Sequence, residues 1–246
     1  MPPTDLTRRA AIAGLAAAAT LSPLQAARAD DLPGYLIVVG RGTDPAKMGA
    51  YARSLPPIYA ATDGYYLSIG AKGRGVRFLK APWDDRSVVL ARFSAYANVD
   101  RFWWGDAYRA SVRLREGAGA FSVWKVRADA PTPHEGPEAG FLITLMSPSD
   151  AARTQAWARD YAAAVTAAGG AMMAATTPEA LAPLEGDTLF DRVLLASFAT
   201  RAARDAFLAS PAARRLDARR DRAGYAVAVA TDGVARATPP PAASRG

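Results

Sequence analysis

Short apolar runs separated by turn signals recur along this chain in one order, and that order occurs twice. Gly34 to Val39 is a short apolar β run, and Thr43-Asp44-Pro45 marks a helix start, with Asp44 as cap and Pro45 at the first helical position. Met48, Tyr51, Ala52, Leu55, Ile58 and Tyr59 then recur at helical spacing and form one apolar face. Pro56-Pro57 is expected to kink or divide that helix, and Asp63-Gly64 to end it. Tyr65 to Ile69 reads as a strand, Gly70, Gly73 and Gly75 as a loop followed by Val76 to Lys80, and Ser87 to Phe93 as a strong strand. Val99 to about Arg115 reads as one helix and Phe121 to Val126 as a closing strand. The order predicts a βαββαβ unit whose middle strands join as a hairpin.

The second half repeats the pattern. Phe141 to Leu145 is a strand, Ser149-Asp150 can cap a helix, and Trp157, Tyr161, Val165 and Ala168 form its apolar stripe up to Gly169-Gly170. Ala171 to Thr176 and Arg192 to Phe198 read as strands, Ala202 to about Asp221 as a helix, and Tyr225 to Ala230 as the last strand. Gly34-Tyr35-Leu36-Ile37 and Gly140-Phe141-Leu142-Ile143 stand 106 positions apart, and Asp44, Tyr51 and Gly64 fall on Asp150, Trp157 and Gly170. After one deletion, Leu90, Phe93, Phe102 and Arg115 fall on Leu195, Phe198, Phe207 and Arg220. So long a period means two copies of a small domain. A βαββαβ unit is the ferredoxin-like motif, whose helices cover one sheet face and leave the other bare. The predicted fold is α+β: two ferredoxin-like halves, 30–126 and 140–234, packed as an intramolecular dimeric α+β barrel. Residues 127–139, with three prolines, form the linker, and 235–246 a disordered tail.

Residues 1–29 read as an export signal: Arg8-Arg9, a mild apolar run from Ala10 to Leu21, and Ala27-Arg28-Ala29 as a cleavage site. The paired arginines suggest the twin-arginine type, and an ordinary secretory signal is the alternative. Either places the mature protein in the periplasm or outside the cell, with no stable membrane insertion. Without those residues the chain carries 27 basic and 22 acidic side chains. The densest arginines, Arg214, Arg215, Arg219, Arg220 and Arg222, are interrupted by Asp217 and Asp221, the pattern of a solvated helix face rather than a nucleic-acid footprint. There is no cysteine, which excludes disulfides and thiolate chemistry. The single histidine, His134, lies in the linker and reads as a solvated residue. Asp84-Asp85 reads as a turn and Gly70 to Gly75 as a loop, not a phosphate site.

Gly-Tyr-Leu-Ile at Gly34, the helix ending at Asp63-Gly64, the Ser87 to Phe93 strand, and Phe102-Trp103-Trp104-Gly105-Asp106-Ala107-Tyr108 with Arg115 resemble a known family. In the second half Leu184-Glu185-Gly186 and Ser210-Pro211 carry the resemblance. That family is the domain of unknown function thirteen-thirty, of the dimeric α+β barrel type. The chain departs from its pattern at Arg92 and Ser197, where Glu is frequent, and at Lys80, where Leu-Glu-Gly becomes Leu79-Lys80-Ala81. The fold's relatives include cofactor-free monooxygenases, haem enzymes and isomerases, and fold alone does not choose among them.

Aromatic residues are divided 15 to seven between the halves. This asymmetry marks the first half as the one with a ligand pocket between sheet and helices, or simply with a larger core. The candidate ligand-binding residues are Tyr65, Tyr66, Trp83, Arg92, Trp103, Trp104, Asp106, Tyr108 and Arg115. Trp103 and Trp104 are 100° apart on a helix, so at least one lies at an edge. Tyr65 and Tyr66 alternate across a strand, one toward the helices and one toward the barrel. The expected partner is a small lipophilic or aromatic molecule, with no cofactor, metal or nucleic acid, and the expected state is a monomeric pseudo-dimer. Ligand binding without chemistry, a cofactor-independent monooxygenase or isomerase, and a structural role are the three open functions.

Overall fold

The computed structural model describes residues 32–186 and 189–236. The export-signal reading of residues 1–29 lies outside the described residues, as does most of the tail expected over 235–246. The first half comprises β1 (Gly34–Gly42), α1 (Pro45–Ala61), β2 (Gly64–Lys72), β3 (Gly75–Lys80), β4 (Ser87–Phe93), α2 (Tyr96–Trp104), α3 (Asp106–Val112) and β5 (Gly119–Arg127). The second comprises β6 (Gly140–Pro148), α4 (Ala151–Ala167), β7 (Ala171–Ala175), β8 (Leu181–Glu185), β9 (Arg192–Phe198), α5 (Arg201–Ala209), α6 (Pro211–Ala223) and β10 (Gly224–Asp232). All ten strands form one sheet in the order β7-β9-β6-β10-β3-β2-β4-β1-β5-β8. The protein is an α+β barrel of two ferredoxin-like halves.

β2 and β4, the middle strands of the βαββαβ order, pair antiparallel from Gly64–Phe93 to Ala71–Ser87, but the segment after the glycine loop does not fold back on β2 as a hairpin. β2 and β3 meet only at Ala71–Gly75 and Lys72–Val76, and β3 instead pairs antiparallel with β10 of the second half. Its counterpart β8 pairs antiparallel with β5 of the first half. Each half thus lends the other a strand. This exchange covers the outer edges of β5 and β10, whose backbone groups need partners. The glycine turn at 73–75, with Gly73 and Gly75 at positive φ, redirects β3 away from β2.

Side-chain alternation on β1 explains the two-sided core. Tyr35, Ile37 and Val39 point into a central cluster shared by both halves, while Leu36 faces the cluster under α1 and α2. The second half builds its own helix-side cluster around Trp157, Val165, Phe198 and Phe207. Asp44 caps α1 by accepting from Ala46 and Lys47 N–H groups, as the sequence predicts. The expected kink at Pro56-Pro57 does not divide α1, which runs unbroken from Pro45 to Ala61. Both prolines are exposed, so water can serve the carbonyls they leave free.

The second helix of each half is broken in two, where the sequence suggested one continuous helix. Gly105 adopts an extended conformation between α2 and α3, and Ser210 does so between α5 and α6. At Ser210 the cause is local: a residue before proline is driven from the helical region, and Ser210 then caps α6 by accepting from Ala213 N–H. Gly34, repeated as Gly140, is required by close packing, since a Cβ there would lie 2.5 Å from Val99 Cγ2 and 2.9 Å from Tyr96 Cα.

Candidate functional site

In the first half, side chains leave a space open between sheet and helices. α1 carries Tyr51, Leu55 and Tyr59 across the sheet, and beneath them lies a cavity of about 150 Å³. Its floor is Leu36 and Val38 of β1, Val89 of β4 and Val123 of β5, with Tyr66 of β2 at one side. Its polar wall is Tyr108 of α3 and Arg115, from the single 3-10 turn after α3. The Tyr51 and Tyr108 hydroxyls are hydrogen-bonded at 3.0 Å. The Arg115 guanidinium lies 4.4 Å from the Phe121 ring centre and 5.2 Å from that of Tyr51.

The second half completes this wall. Glu185, on the exchanged strand β8, takes Arg115 end-on: Nη1 donates to Oε1 at 2.8 Å and Nη2 to Oε2 at 2.5 Å. Arg115 Nε is buried without an acceptor. Burial opposes the charge on Arg115, yet the Glu185 carboxylate holds its pKa above the ordinary value. Burial pushes the phenols of Tyr108, Tyr66 and Tyr59 well above the ordinary range. They remain neutral near pH 7 and act as hydrogen-bonding groups rather than proton carriers. On its outer side, the Arg115–Glu185 pair borders an open groove that also includes Trp103, Trp104 and Arg109.

The corresponding space in the second half is filled. It measures about 20 Å³ and is bordered by Leu142, Thr144, Tyr161, Ala213 and Arg220, counterparts of Leu36, Val38, Leu55, Tyr108 and Arg115. Trp157, standing where Tyr51 stands, donates from Nε1 to Leu216 O at 2.9 Å and stacks on Tyr161 at 5.2 Å. Arg220 turns to Asp217 of its own helix at 2.7 Å. The exchanged strand on that side brings Lys80, which pairs with Asp221.

The structure separates the candidate residues into several groups. Tyr66, Tyr108 and Arg115 line the cavity. Trp103 is buried behind Tyr108, ring centres 4.8 Å apart, whereas Trp104 is 59% exposed with Arg109 over its ring. Asp106 is exposed at the start of α3. Tyr65 and Arg92 face the barrel interior instead: Arg92 donates to Tyr65 Oη at 3.1 Å and to Thr132 Oγ1 at 3.0 Å, and Tyr65 donates to Glu135 at 2.6 Å. Tyr35 joins this network through Thr132 at 2.6 Å. Burial pushes the Tyr35 and Tyr65 phenols up to about 12. Trp83 lies on a different groove, edge-on to Phe78 and under Arg86. His134 is not simply solvated, because its Nδ1 lies 3.1 Å from Ser197 Oγ.

Sequence reasoning missed Tyr51, Leu55 and Tyr59 as cavity residues, although it placed all three on one apolar helix face. It also missed Glu185, which reaches the site from the other half. The signal was present in Leu184-Glu185-Gly186 set against Leu79-Lys80-Ala81. Among the described residues, no group of three His, Asp or Glu side chains is placed to hold a metal ion, and no helix is long and apolar enough to cross a membrane.

Solved structures of similar fold share little sequence. A protein from Lactobacillus acidophilus NCFM, proposed to be a monooxygenase, superposes with a TM-score of 0.52 at 11% identity, covering 84% of this chain and 96% of its own. A second proposed monooxygenase, from Fusobacterium nucleatum subsp. nucleatum, gives 0.52 at 7% identity, covering 83% and 94%. An anthrone oxidase-like protein gives 0.51 at 12% identity, covering 85% and 94%. At these identities the likeness concerns the fold. No curated protein matches the chain. The domain of unknown function DUF1330 matches residues 33–128 and again 139–234, so the chain belongs to that family and carries its domain twice.

Proposed function

We propose that this protein is an exported small-molecule-binding barrel, and that it takes a ligand the size of a single ring into the cavity under α1. The observation that carries this reading is the difference between the two copies. Leaving 150 Å³ unfilled in an apolar layer costs about 3–4 kcal/mol, at about 24 cal/mol per Å³. The second half closes the equivalent space with Trp157 and Tyr161, so the fold has no need of the void. Apolar walls with a few fixed polar groups are the usual composition of a ligand site.

Binding without chemistry is favoured over catalysis by the state of the polar wall. Phenols held above their ordinary pKa neither take nor release a proton readily near neutral pH, and Arg115 is held by Glu185. The second reading, a cofactor-independent monooxygenase or isomerase for a lipophilic or aromatic substrate, draws on fold relatives that are themselves proposed monooxygenases. Export rests on Arg8-Arg9 and the apolar run after them. Cell fractionation of the chain with both arginines changed to lysine tests it, with retention in the cytoplasm as the expected result.

The test of binding transplants the second half's solution. Leu55→Tyr places in α1 the residue that α4 has as Tyr161. Single-ring compounds such as ethylbenzene are expected to raise the melting temperature of the native chain. The variant is expected to fold and to lose that response. An unchanged response in Leu55→Tyr, or no response in the native chain, refutes the assignment.

A further inference from the structure

We propose that the groove at Trp83 is a second binding site, separate from the cavity under α1, and that it takes a planar ring compound bearing a carboxylate, with Arg86 as its counter-ion.

Strand exchange builds this groove. β3 crosses to β10 and β8 crosses to β5, so the segments that follow the two exchanged strands border one space together with β5 and β10. Trp83 and Arg86 come from the segment after β3, Phe190 from the segment after β8, Phe121 and Trp124 from β5, and Tyr225 from β10. The space measures about 320 Å³, against about 150 Å³ under α1. It falls within the size range of small-molecule sites, which begins at about 300 Å³. The rings hold one another in place. Phe78 stands edge-on to Trp83 at 5.3 Å, Trp124 edge-on to Phe190 at 5.8 Å, and Phe190 stacks on Tyr225 at 5.9 Å. Tyr225 is still 44% exposed, so a ring is offered to an incoming molecule. Flat aromatic walls favour a flat aromatic ligand, because stacking adds to the area buried. Phe121 alone borders both this groove and the cavity under α1.

Arg86 gives the groove its charge. Its guanidinium is half-buried and lies 4.5 Å from the Trp83 ring centre, and among the described residues it has no ion pair. The two carboxylates just before it in sequence serve other cations: Asp84 pairs with Lys72, and Asp85 with Arg41 at 2.9 Å. None of the described residues that border the groove is acidic. The position equivalent to Arg86 in the second copy is Asp191, which does not border the groove, so the charge stands on one side only. A cation half withdrawn from water and without a counter-ion attracts an anion more strongly than a fully solvated one does. A carboxylate also matches the fork of the guanidinium with two parallel hydrogen bonds. A cationic ligand meets repulsion, and a neutral ring covers Arg86 without giving it an acceptor.

Calorimetric titration of the full chain with 2-naphthoate and 2-naphthamide tests this. The two have nearly the same shape and differ in charge, and two fused rings exceed a cavity of the size that holds one benzene. 2-Naphthoate is expected to bind about tenfold more tightly than the amide, the scale by which a charged acceptor exceeds a neutral one. Arg86→Met breaks no ion pair; it is expected to fold and to bind the two compounds equally. Tyr225→Ala gives the second copy the residue found at the equivalent position 120 and removes one aromatic wall. It is expected to weaken both compounds about fivefold, the scale of one aromatic pair. Equal affinities in the native chain, a preference for the anion that survives Arg86→Met, unchanged binding in Tyr225→Ala, or no binding of either compound each overturns the proposal. The ethylbenzene response in native chain and Leu55→Tyr reads the cavity under α1 separately, so the two sites stand or fall apart.

Discussion

The Arg115–Glu185 pair should be worth far more than its pseudo-symmetric replacement, and Glu185→Ala measures this. Removing Glu185 strands a guanidinium whose side chain is only 7% exposed. Breaking a fully buried ion pair costs about 3–5 kcal/mol, and an exposed one about 0.2–1 kcal/mol. With Glu185 at 32% exposure, the expected loss lies between these ranges, nearer the buried one, at about 2–3 kcal/mol. For a chain of this size that lowers the melting temperature by about 5–10 °C. The control is Lys80→Ala on the other exchanged strand. Its partner Asp221 is 57% exposed, so the loss should stay below about 1 kcal/mol. Urea denaturation of both variants, with Arg115→Met and the double change to close a mutant cycle, gives the coupling energy directly. Equal small losses for Glu185→Ala and Lys80→Ala, or a coupling under about 0.5 kcal/mol, would refute the reasoning. The pair would then be a surface contact, and the cavity wall would not depend on strand exchange.

Gly34→Ala forces a methyl group to within 2.5 Å of Val99 Cγ2 and should destabilise by about 1–3 kcal/mol, read from the same denaturation curves. Asp205 accepts from Arg77 of β3 at 2.8 Å and from Arg204 at 3.0 Å; burial works against its charge, but these arginines hold its pKa below the ordinary value. Its contribution is therefore present above about pH 4 and is lost as pH falls below that, so Asp205→Asn should flatten the acid limb of melting temperature against pH. Tyr35, whose phenol burial raises from 10.0 to about 12, contributes stability that is present below pH 10.0 and lost as pH rises through about 12. Tyr35→Phe, the residue found at the equivalent position 141, should make the alkaline loss of melting temperature shallower; an unchanged slope above pH 10 removes Tyr35 from the cause.

The sequence by itself determined the duplication, the α+β class and most element positions, because these depend on local periodicity and on residues that act on their immediate neighbours. Asp44 and Pro45 start α1 wherever it packs, and the alternation of Tyr65 and Tyr66 sends one to each face of β2, the structure turning Tyr65 toward the barrel core and Tyr66 toward the helix layer. The sequence also located Tyr66, Tyr108 and Arg115, which share the cavity. It could not show that Tyr65, Arg92 and Trp83 belong elsewhere, since residues near in pattern are divided by the sheet between two faces. The break at Gly105 escaped it because one glycine inside a helical pattern is a weak signal, while Ser210-Pro211 stated the same break in the other copy more plainly. Only the tertiary structure decided where β3 and β8 go. A strand carries its unpaired N–H and C=O groups at both edges, and which neighbour satisfies them depends on the packing of the halves. That choice, across 70 positions of sequence, brings Glu185 to Arg115 and makes the cavity wall a joint product of both copies.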